Sequence, residues 1–154
     1  MDLRTEQDII VDDEDRWWAA GKLIINEGIL AYFKAQLQFD GERYFIRNRQ
    51  GSREEEAYLK AVHGFPLKAV SAHPGESTCH VRLDGGQEAE LAWGDFFQSD
   101  DTTMGAFFKG IPVRLSPLAM AGIASRLEEK GGSFALSGNR LLVLSRSELF
   151  RRQT

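Results

Sequence analysis

The clearest pattern in the chain is an alternation of apolar and polar residues on both sides of the turn Asp84-Gly85-Gly86. A period of two, interrupted by a glycine turn, predicts an antiparallel hairpin over 78–93 with one apolar face. The outer face would set His80 and Arg82 against two glutamates, which is a favourable cross-strand arrangement. The apolar face is formed by Cys79, Val81, Leu83, Ala89, Leu91 and Trp93.

Two longer stretches have the period of an amphipathic helix, and each follows a residue that caps helices well. Asn26 precedes a helix expected from 27 to about 38, and Ser116 precedes one expected from 117 to about 130. Glycine commonly follows a helix end, and Gly41 and Gly131 are in that position. The inward faces would be Leu30, Phe33 and Leu37 in one helix and Met120, Ile123 and Leu127 in the other.

Two shorter capping patterns predict further helices. Ser52 and Glu55 have the spacing of a capping box and predict a helix over 53–62, and Ser145 with Glu148 predicts one over 145–152. The polar segment 95–105 is expected to be a mobile loop. Short β-branched or aromatic runs predict strands at 9–11, 17–18, 23–25, 44–46, 67–71, 107–108 and 111–115, and a hairpin of 133–136 with 141–144.

Segments 17–46 and 107–136 align without a gap at an offset of 90 residues. The helix cap, the apolar face, the glycine stop and an aromatic pair keep one register, although only three aligned positions are identical. This consistency favours a duplicated strand–helix–strand motif whose two copies share a core. The alternative is that two amphipathic helices flanked by strands fall into similar register by chance.

The predicted fold class is therefore α+β, with a mainly antiparallel sheet and a central hairpin. We expect one domain over 1–154, with repeat-like halves at about 9–64 and 98–152 joined by the hairpin region 65–97. A chain of this length can bury a core without a disulfide or metal to stabilise it. Its single cysteine, Cys79, excludes an internal disulfide framework and a multi-cysteine zinc site.

Composition and charge narrow the functional classes. A hydrophobic content of 42% is too high for a disordered chain, and a formal net charge of −4 argues against nucleic-acid binding. The first residues lack the positive start and apolar run of a secretory signal, and no apolar stretch approaches the length of a membrane span. We expect a cytoplasmic protein with neither a nucleic-acid nor a membrane partner.

No catalytic or cofactor-binding motif is present in the sequence. His73, Cys79 and His80 are the one grouping with metal-ligand chemistry, but Cys79 and His80 are neighbours on a predicted strand and point to opposite faces. We therefore expect no metal and no cofactor, and catalytic residues stay unknown.

Adjacent aromatic residues are the best candidates for a binding site. Three pairs of identical aromatic residues occur, Trp-Trp at 17–18 and Phe-Phe at 96–97 and 107–108, and only one member of a pair on a strand can face the core. The hypothesis is that the other member lines a groove between the repeats; the alternative is that the fold covers both. The candidate ligand-binding residues are Trp17, Trp18, Arg43, Tyr44, Arg47, Trp93, Phe97 and Phe107.

Three stretches carry a resemblance to a known family. They are Asp15-Arg16-Trp17-Trp18-Ala19-Ala20-Gly21-Lys22-Leu23-Ile24 with Gly41-Glu42-Arg43-Tyr44-Phe45-Ile46, then Phe65-Pro66-Leu67-Lys68-Ala69-Val70, and Arg114-Leu115-Ser116 with Gly131-Gly132-Ser133-Phe134-Ala135-Leu136-Ser137-Gly138. Their order resembles a bacterial family of unknown function with two tandem strand–helix–strand repeats. The resemblance implies a two-repeat α+β fold and a part in signal transduction or ligand binding, with no established reaction. The chain departs from that family in the segment 53–62 and at Asp15-Arg16, where the family tends to have a glycine turn.

The sequence thus favours a non-catalytic ligand-binding or regulatory module whose partner is a small molecule or a protein of unknown identity. One alternative is a hydrolase-type enzyme that uses His73 with a carboxylate of Asp95, Asp100 or Asp101. Another is a structural protein that self-associates into a homo-oligomer.

Overall fold

The computed structural model describes residues 5–100 and 103–150 and shows a strand-rich α+β chain. The helices are α1 (Glu27–Gln36), α2 (Pro117–Ile123) and α3 (Arg146–Phe150), with 3₁₀ turns at Trp93–Asp95 and Ala124–Arg126. The strands are β1 (Thr5–Val11), β2 (Trp17–Ala19), β3 (Lys22–Leu23), β4 (Leu37–Phe39), β5 (Tyr44–Gln50), β6 (Arg53–Val62), β7 (Leu67–Pro74), β8 (Thr78–Leu83), β9 (Glu88–Ala92), β10 (Phe96–Ser99), β11 (Met104–Phe108), β12 (Ile111–Leu115), β13 (Leu127–Lys130), β14 (Ser133–Leu136), β15 (Asn139–Arg140) and β16 (Leu142–Leu144).

The strands form three sheets. A six-stranded sheet has the order β3-β2-β1-β6-β5-β4, a seven-stranded sheet has the order β16-β10-β11-β12-β7-β8-β9, and β13, β14 and β15 form a third. Neighbours in sequence pair in an antiparallel sense, as tight turns require. The pairs β1/β6, β7/β12 and β10/β16 are parallel, and each joins strands far apart in sequence, since a parallel pair needs a long connection.

The predicted hairpin over 78–93 is confirmed as β8 and β9. His80 pairs with Glu90 and Arg82 with Glu88 across the ladder, while the opposite face, with Cys79, Val81 and Leu83, is buried. The imidazole of His80 lies 2.6 Å from Glu90 and 3.0 Å from Glu88. These two hydrogen bonds to carboxylates raise the pKa of His80 above its usual value.

The segments 17–46 and 107–136 contain the same order of elements, which is an antiparallel pair, a capped helix and a second antiparallel pair. Asn26 and Ser116 cap the helices by accepting the amide of the third residue on, at 3.0 and 3.1 Å. The second pairs share their register, since the pairing of Leu37 with Ile46 recurs 90 residues later as Leu127 with Leu136.

Both segments contribute to one apolar core. The core is formed by buried side chains of the strands and of α2, and Leu30 and Phe33 of α1 pack against it. Buried residues from the first segment include Trp17, Leu37 and Ile46, and those from the second include Val113, Ile123 and Leu136.

Both long helices end earlier than predicted. The helix α1 ends at Gln36 and α2 at Ile123, followed by a 3₁₀ turn, so that Leu37 and Leu127 begin strands. Leu37 and Leu127 continue the apolar period of the helices, so the sequence pattern does not show that the helices end before them. A residue at that spacing faces the core whether it belongs to a helix or to a strand. Backbone pairing of β4 with β5 and of β13 with β14 therefore decides that these residues form strands. Gly41 and Gly131 lie in the turns of the two hairpins at positive φ.

The helix predicted over 53–62 is wrong, because these residues form β6, the central strand of the six-stranded sheet. Pairing with β5 on one side and β1 on the other satisfies its backbone groups along most of its length. A capping box is a local preference of about 1 kcal/mol, and two strand ladders outweigh it.

Two other predictions need correction. The expected loop over 95–105 instead contains β10, whose Phe96, Phe97 and Ser99 are buried inside the seven-stranded sheet; Asp101 and Thr102 lie outside the described residues. The strand β16 does not form a hairpin with β14, because it pairs in parallel with β10, and β14 pairs with β15. The last helix is confirmed over Arg146–Phe150.

Candidate functional site

The eight candidate ligand-binding residues do not form one groove. Trp17, Tyr44, Trp93 and Phe97 are buried, Trp18 and Phe107 are half-buried, and Arg43 and Arg47 lie on β5 or beside it. The structure brings together Phe97 and Phe107, whose ring centroids are 4.7 Å apart. The Trp17 indole donates to the carbonyl of Pro66 at 3.1 Å inside the core.

A single carboxylate fixes the position of Trp18. Asp12 accepts hydrogen bonds from the Trp18 indole and the Arg16 guanidinium, both at 2.8 Å, and from the backbone amides of Glu14 and Arg16 at 2.9 Å. Partial burial acts to raise the pKa of Asp12, but the hydrogen bonds from Trp18 and Arg16 outweigh it and lower the pKa to about 2. These hydrogen bonds hold the Trp18 indole against the turn that joins β1 and β2, so its half-buried position has a structural explanation.

Replacement of Asp12 by asparagine is expected to remove part of the acid sensitivity of folding. A depressed pKa in the folded state stabilises the protein above the unfolded value of 3.8, and this stability is lost as pH falls towards 2. A fifth of the side chain is exposed, so we expect a loss of roughly 1–2 kcal/mol at neutral pH. Urea unfolding at a series of pH values would measure it; equal acid dependence in Asp12→Asn and the unmodified protein would contradict the assignment.

The two arginines of the candidate set already have partners. Arg43 lies 2.8 Å from Glu6 and stacks over the ring of Tyr58 at 4.0 Å. Arg47 lies 2.9 Å from Glu54 and 3.1 Å from Glu56 on the neighbouring strand. Their charges are therefore balanced within the six-stranded sheet.

An apolar pocket opens elsewhere, between the seven-stranded sheet and the segment α2-β13-β14. Its volume is about 250 Å³, and we call it the Phe134 pocket. It is lined by Gln98, Met104, Met120, Leu127, Phe134 and Leu141.

The lining of the Phe134 pocket combines adaptable apolar groups with one polar group. Met104 and Met120 are unbranched thioethers, which adjust their shape to a ligand more readily than branched side chains do. The Gln98 amide is half-buried and forms no hydrogen bond with any described residue. A pocket with apolar walls and one available amide is suited to hold and orient a small molecule.

Two further grooves adjoin this pocket at Phe134. Each has a volume of about 330 Å³, and both are lined by Ser133 and Arg140. One of the two grooves also shares the lining residues Gln98 and Leu141 with the Phe134 pocket. Arg140 pairs with Ala135 on β14, so its side chain lies on the face of this hairpin opposite Phe134.

A larger trough of about 590 Å³ lies between α1 and the six-stranded sheet. Its floor is apolar, with Phe33 and Ile46, but its rim is formed mainly by carboxylates and amides. Glu54 and Glu56 on this rim are ion-paired with Arg47, and the Tyr32 hydroxyl donates to Asn48. Water solvates such a rim well, so the trough offers less gain from ligand burial than the Phe134 pocket.

The Phe134 pocket is lined by no tryptophan and by no pair of adjacent aromatic residues, so the pattern that singled out the candidate residues does not point to it. The sequence pattern predicts that Met120 and Leu127 face the core from a helix and that Gln98 lies in a mobile loop. The alignment of the two segments is the signal that could have identified Phe134, because at an offset of 90 residues it aligns with the candidate residue Tyr44.

The other candidate chemistry is dispersed. His73, Asp95 and Asp100 are exposed, and none of them lines the Phe134 pocket. Within residues 5–100 and 103–150, no three His, Cys, Asp or Glu side chains are grouped to hold a metal ion. Cys79 is buried, and burial raises the pKa of its thiol to about 11. Over the same ranges, no helix has the length and apolar character needed to cross a bilayer.

Comparison of the sequence with family models and with curated proteins finds no match. Two solved structures are similar in fold. A DUF1285 family protein from Silicibacter pomeroyi DSS-3 has a TM-score of 0.65 at 17% identity, over 89% of this chain and 79% of that one. A DUF1285 family protein from Shewanella baltica OS155 has a TM-score of 0.56 at 14% identity, over 76% of this chain and 90% of that one. The chain thus has the fold of bacterial DUF1285 proteins, a family of unknown function.

Proposed function

We propose that the protein is a non-catalytic ligand-binding module whose Phe134 pocket takes the apolar part of a small molecule. The observation that carries this proposal is a pocket with five apolar lining side chains and one amide that has no partner among the described residues. Burial of an apolar group there releases water from apolar walls, at about 25 cal/mol for each Å² removed from solvent. The setting is the cytoplasm, as the sequence favours, and the role is regulatory.

A duplicated strand–helix–strand motif accounts for where the pocket lies. In the first copy, Phe39 packs on Tyr44 with ring centroids 4.6 Å apart, and Tyr44 is buried. The position of Phe39 on β4 corresponds to Glu129 on β13, which pairs with Phe134. Because a glutamate replaces the covering aromatic ring, Phe134 stays half-exposed and the space beside it stays open.

Filling the pocket is the direct test of the proposal. Met120→Trp on α2 adds bulk to the pocket wall, and Leu30→Trp adds similar bulk at the aligned position of α1. We expect the fluorescent probe N-phenylnaphthylamine, which is neutral, to bind the unmodified protein and Leu30→Trp, and to lose at least about tenfold in affinity for Met120→Trp. Circular dichroism and urea unfolding establish that each variant is folded.

Equal loss of affinity in both variants would place the probe elsewhere and contradict the proposal. Failure of the unmodified protein to bind the probe would contradict it as well. If Met120→Trp does not fold, Met120→Glu provides the same comparison, because a carboxylate on the pocket wall excludes an apolar ligand through its desolvation cost.

A further inference from the structure

We propose that two copies of this chain associate through the free edge of β3 and the outer face of α1, in a symmetric dimer. We call this surface the α1 patch, and its exposed apolar side chains are Leu23, Ile25, Ile29 and Tyr32. Ile25 is the most exposed of the four, at 82%. None of them lines the Phe134 pocket, so the inference goes beyond the proposed function and is independent of it.

The exposed side chains of the α1 patch are close neighbours. Leu23 and Ile25 are two residues apart in the short run that leads from β3 to the cap Asn26. Ile29 and Tyr32 are three residues apart in α1 and therefore share one face of the helix. The Asn26 side chain accepts the amide of Ile29 at 3.0 Å, which holds the start of the helix beside the strand. Clustered apolar exposure of this kind is typical of a protein interface.

The edge of β3 adds unpaired backbone groups to the patch. β3 ends the six-stranded sheet, and the amide of Ile24 donates to the carbonyl of Trp17 on β2 at 2.9 Å. Successive residues of an antiparallel ladder direct their backbone groups to opposite sides, so those of Leu23 and Ile25 point away from β2. No strand in the described ranges pairs with them there. Such an edge is a template for a further strand.

The second segment shows the corresponding surface in use. β12 follows a turn at positive φ, as β3 does, and its outer edge pairs in parallel with β7. Leu115 and Ala119 are buried, and Gly122 lies against the backbone of β7. The residues of the first segment at the same distances from the helix cap are Ile25, Ile29 and Tyr32. The α1 patch is therefore exposed where its counterpart is covered.

The shape of the patch favours a second copy over a single strand. α2 approaches β7 closely because Ala119 and Gly122 are small. Ile29 and Tyr32 are large, so they exclude that approach on α1 and suit another helix, at about 8–10 Å between axes. A second copy offers a free strand edge and a helix together. A two-fold axis between the β3 edges would join the two sheets and place the two α1 helices side by side.

The charges at the ends of the strand-to-helix run are complementary under this symmetry. Lys22 and Glu27 are exposed, and neither forms an ion pair within the described part of the chain. Antiparallel pairing that sets Leu23 opposite the partner's Ile25 brings Lys22 opposite the partner's Asn26, next to the partner's Glu27. The two-fold axis repeats this contact, so that two ion pairs form on either side of the apolar centre.

Sedimentation velocity over a range of protein concentrations tests whether the dimer exists. We expect a reversible equilibrium between monomer and dimer with a dissociation constant on the order of 10 μM, since a contact through one short strand and one helix is small. A protein that stays monomeric at concentrations about fiftyfold higher would overturn the inference.

Lysine substitutions assign the contact to the α1 patch. Ile25→Lys should weaken self-association at least about tenfold, because it places a charge in the apolar centre of the contact. The side chain of Ile25 is mostly in solvent, so the monomer fold should be kept, and circular dichroism checks this. Leu118→Lys on α2 and Val143→Lys on β16 change equally exposed apolar residues elsewhere and should leave the dissociation constant unchanged. Self-association that survives Ile25→Lys, or that Val143→Lys abolishes, would contradict the assignment.

A charge exchange tests the two-fold symmetry. Lys22→Glu and Glu27→Lys each set like charges against one another across the axis, so each variant alone should self-associate at least about threefold more weakly. In an equal mixture of the two variants, a heterodimer restores both ion pairs with their signs exchanged. We expect the mixture to associate about as tightly as the unmodified protein. A mixture that associates no better than either variant alone would overturn the proposed arrangement.

Discussion

Substitution of Gly122 by alanine is expected to destabilise the protein by about 2–3 kcal/mol, although alanine favours helices. Gly122 lies in α2 where the helix crosses β7, and a methyl group on it would overlap the carbonyl oxygen of Ala72. That oxygen belongs to the backbone of a buried strand, so it cannot move aside as a side chain would. Helix and strand must therefore separate, and the packing of Ile123 would be lost with them.

Gly28→Ala in α1 is the matched control. A methyl group there meets the Asn26 Oδ1 that caps the helix, at 3.3 Å, which is a much milder contact than the one at Gly122 and involves no backbone atom. We expect Gly28→Ala to be neutral or to gain up to about 1 kcal/mol from helix propensity. Urea unfolding of both variants measures the difference, and equal stabilities would mean that α2 does not approach β7 as closely as described.

Loss of the Arg114 guanidinium is expected to cost about 2–3 kcal/mol. Arg114 on β12 pairs with Asp15 at 2.5 Å and lies over the ring of Phe65. Asp15 also accepts the amide of Phe65 at 2.7 Å, and its backbone has a φ of 67°. Arg114→Met would leave a mostly buried carboxylate without its cation, at the contact between the β1–β2 turn and the seven-stranded sheet.

A double-mutant cycle isolates the pair from the packing of the arginine stem. The variants are Arg114→Met, Asp15→Asn and their combination, each unfolded in urea at neutral pH. We expect a coupling free energy of about 1–2 kcal/mol, because the second substitution removes the charge that the first leaves unpaired. Additive losses would show that Arg114 contributes by packing on Phe65 alone.

The elements predicted well are those whose determinants are local. Asn26 and Ser116 begin helices where the capping pattern placed them, and the hairpin at 78–93 follows its alternation of apolar and polar residues. A cap needs one side chain and the next turn, and a hairpin needs two adjacent strands. Both are present in a short window of sequence.

The strand β6 shows why other elements were missed. Its capping box was visible locally, but the pairing that decided its structure involves β1, more than forty residues earlier. The sequence did contain a cross-strand pattern, since alternate arginines at 47 and 49 and alternate glutamates at 54 and 56 flank Gln50-Gly51-Ser52. Gly51 turns that hairpin at a φ of 62°. Opposite charges on both sides of a glycine turn are typical of a hairpin.

The candidate site could be predicted only in part. The pocket does contain an aromatic residue, as the sequence suggests, but a ring is available to a ligand only where its neighbours leave it uncovered. Tyr44 is covered by Phe39, whereas Phe134 faces a glutamate at the aligned position. This difference depends on the register in which β13 pairs with β14. The sequence pattern predicts a helix up to about Lys130 and therefore gives no register for this pair.

The methionine methyl groups give the most direct test of the Phe134 pocket. The chain has three methionines; Met104 and Met120 line the pocket, and Met1 lies outside the described residues. Isotope-labelled methyl groups give one resonance each, assigned by Met104→Leu and Met120→Leu. On titration with N-phenylnaphthylamine, we predict saturable shifts of the Met104 and Met120 resonances. Unchanged resonances of Met104 and Met120 at saturating probe would contradict a ligand-binding function for this pocket.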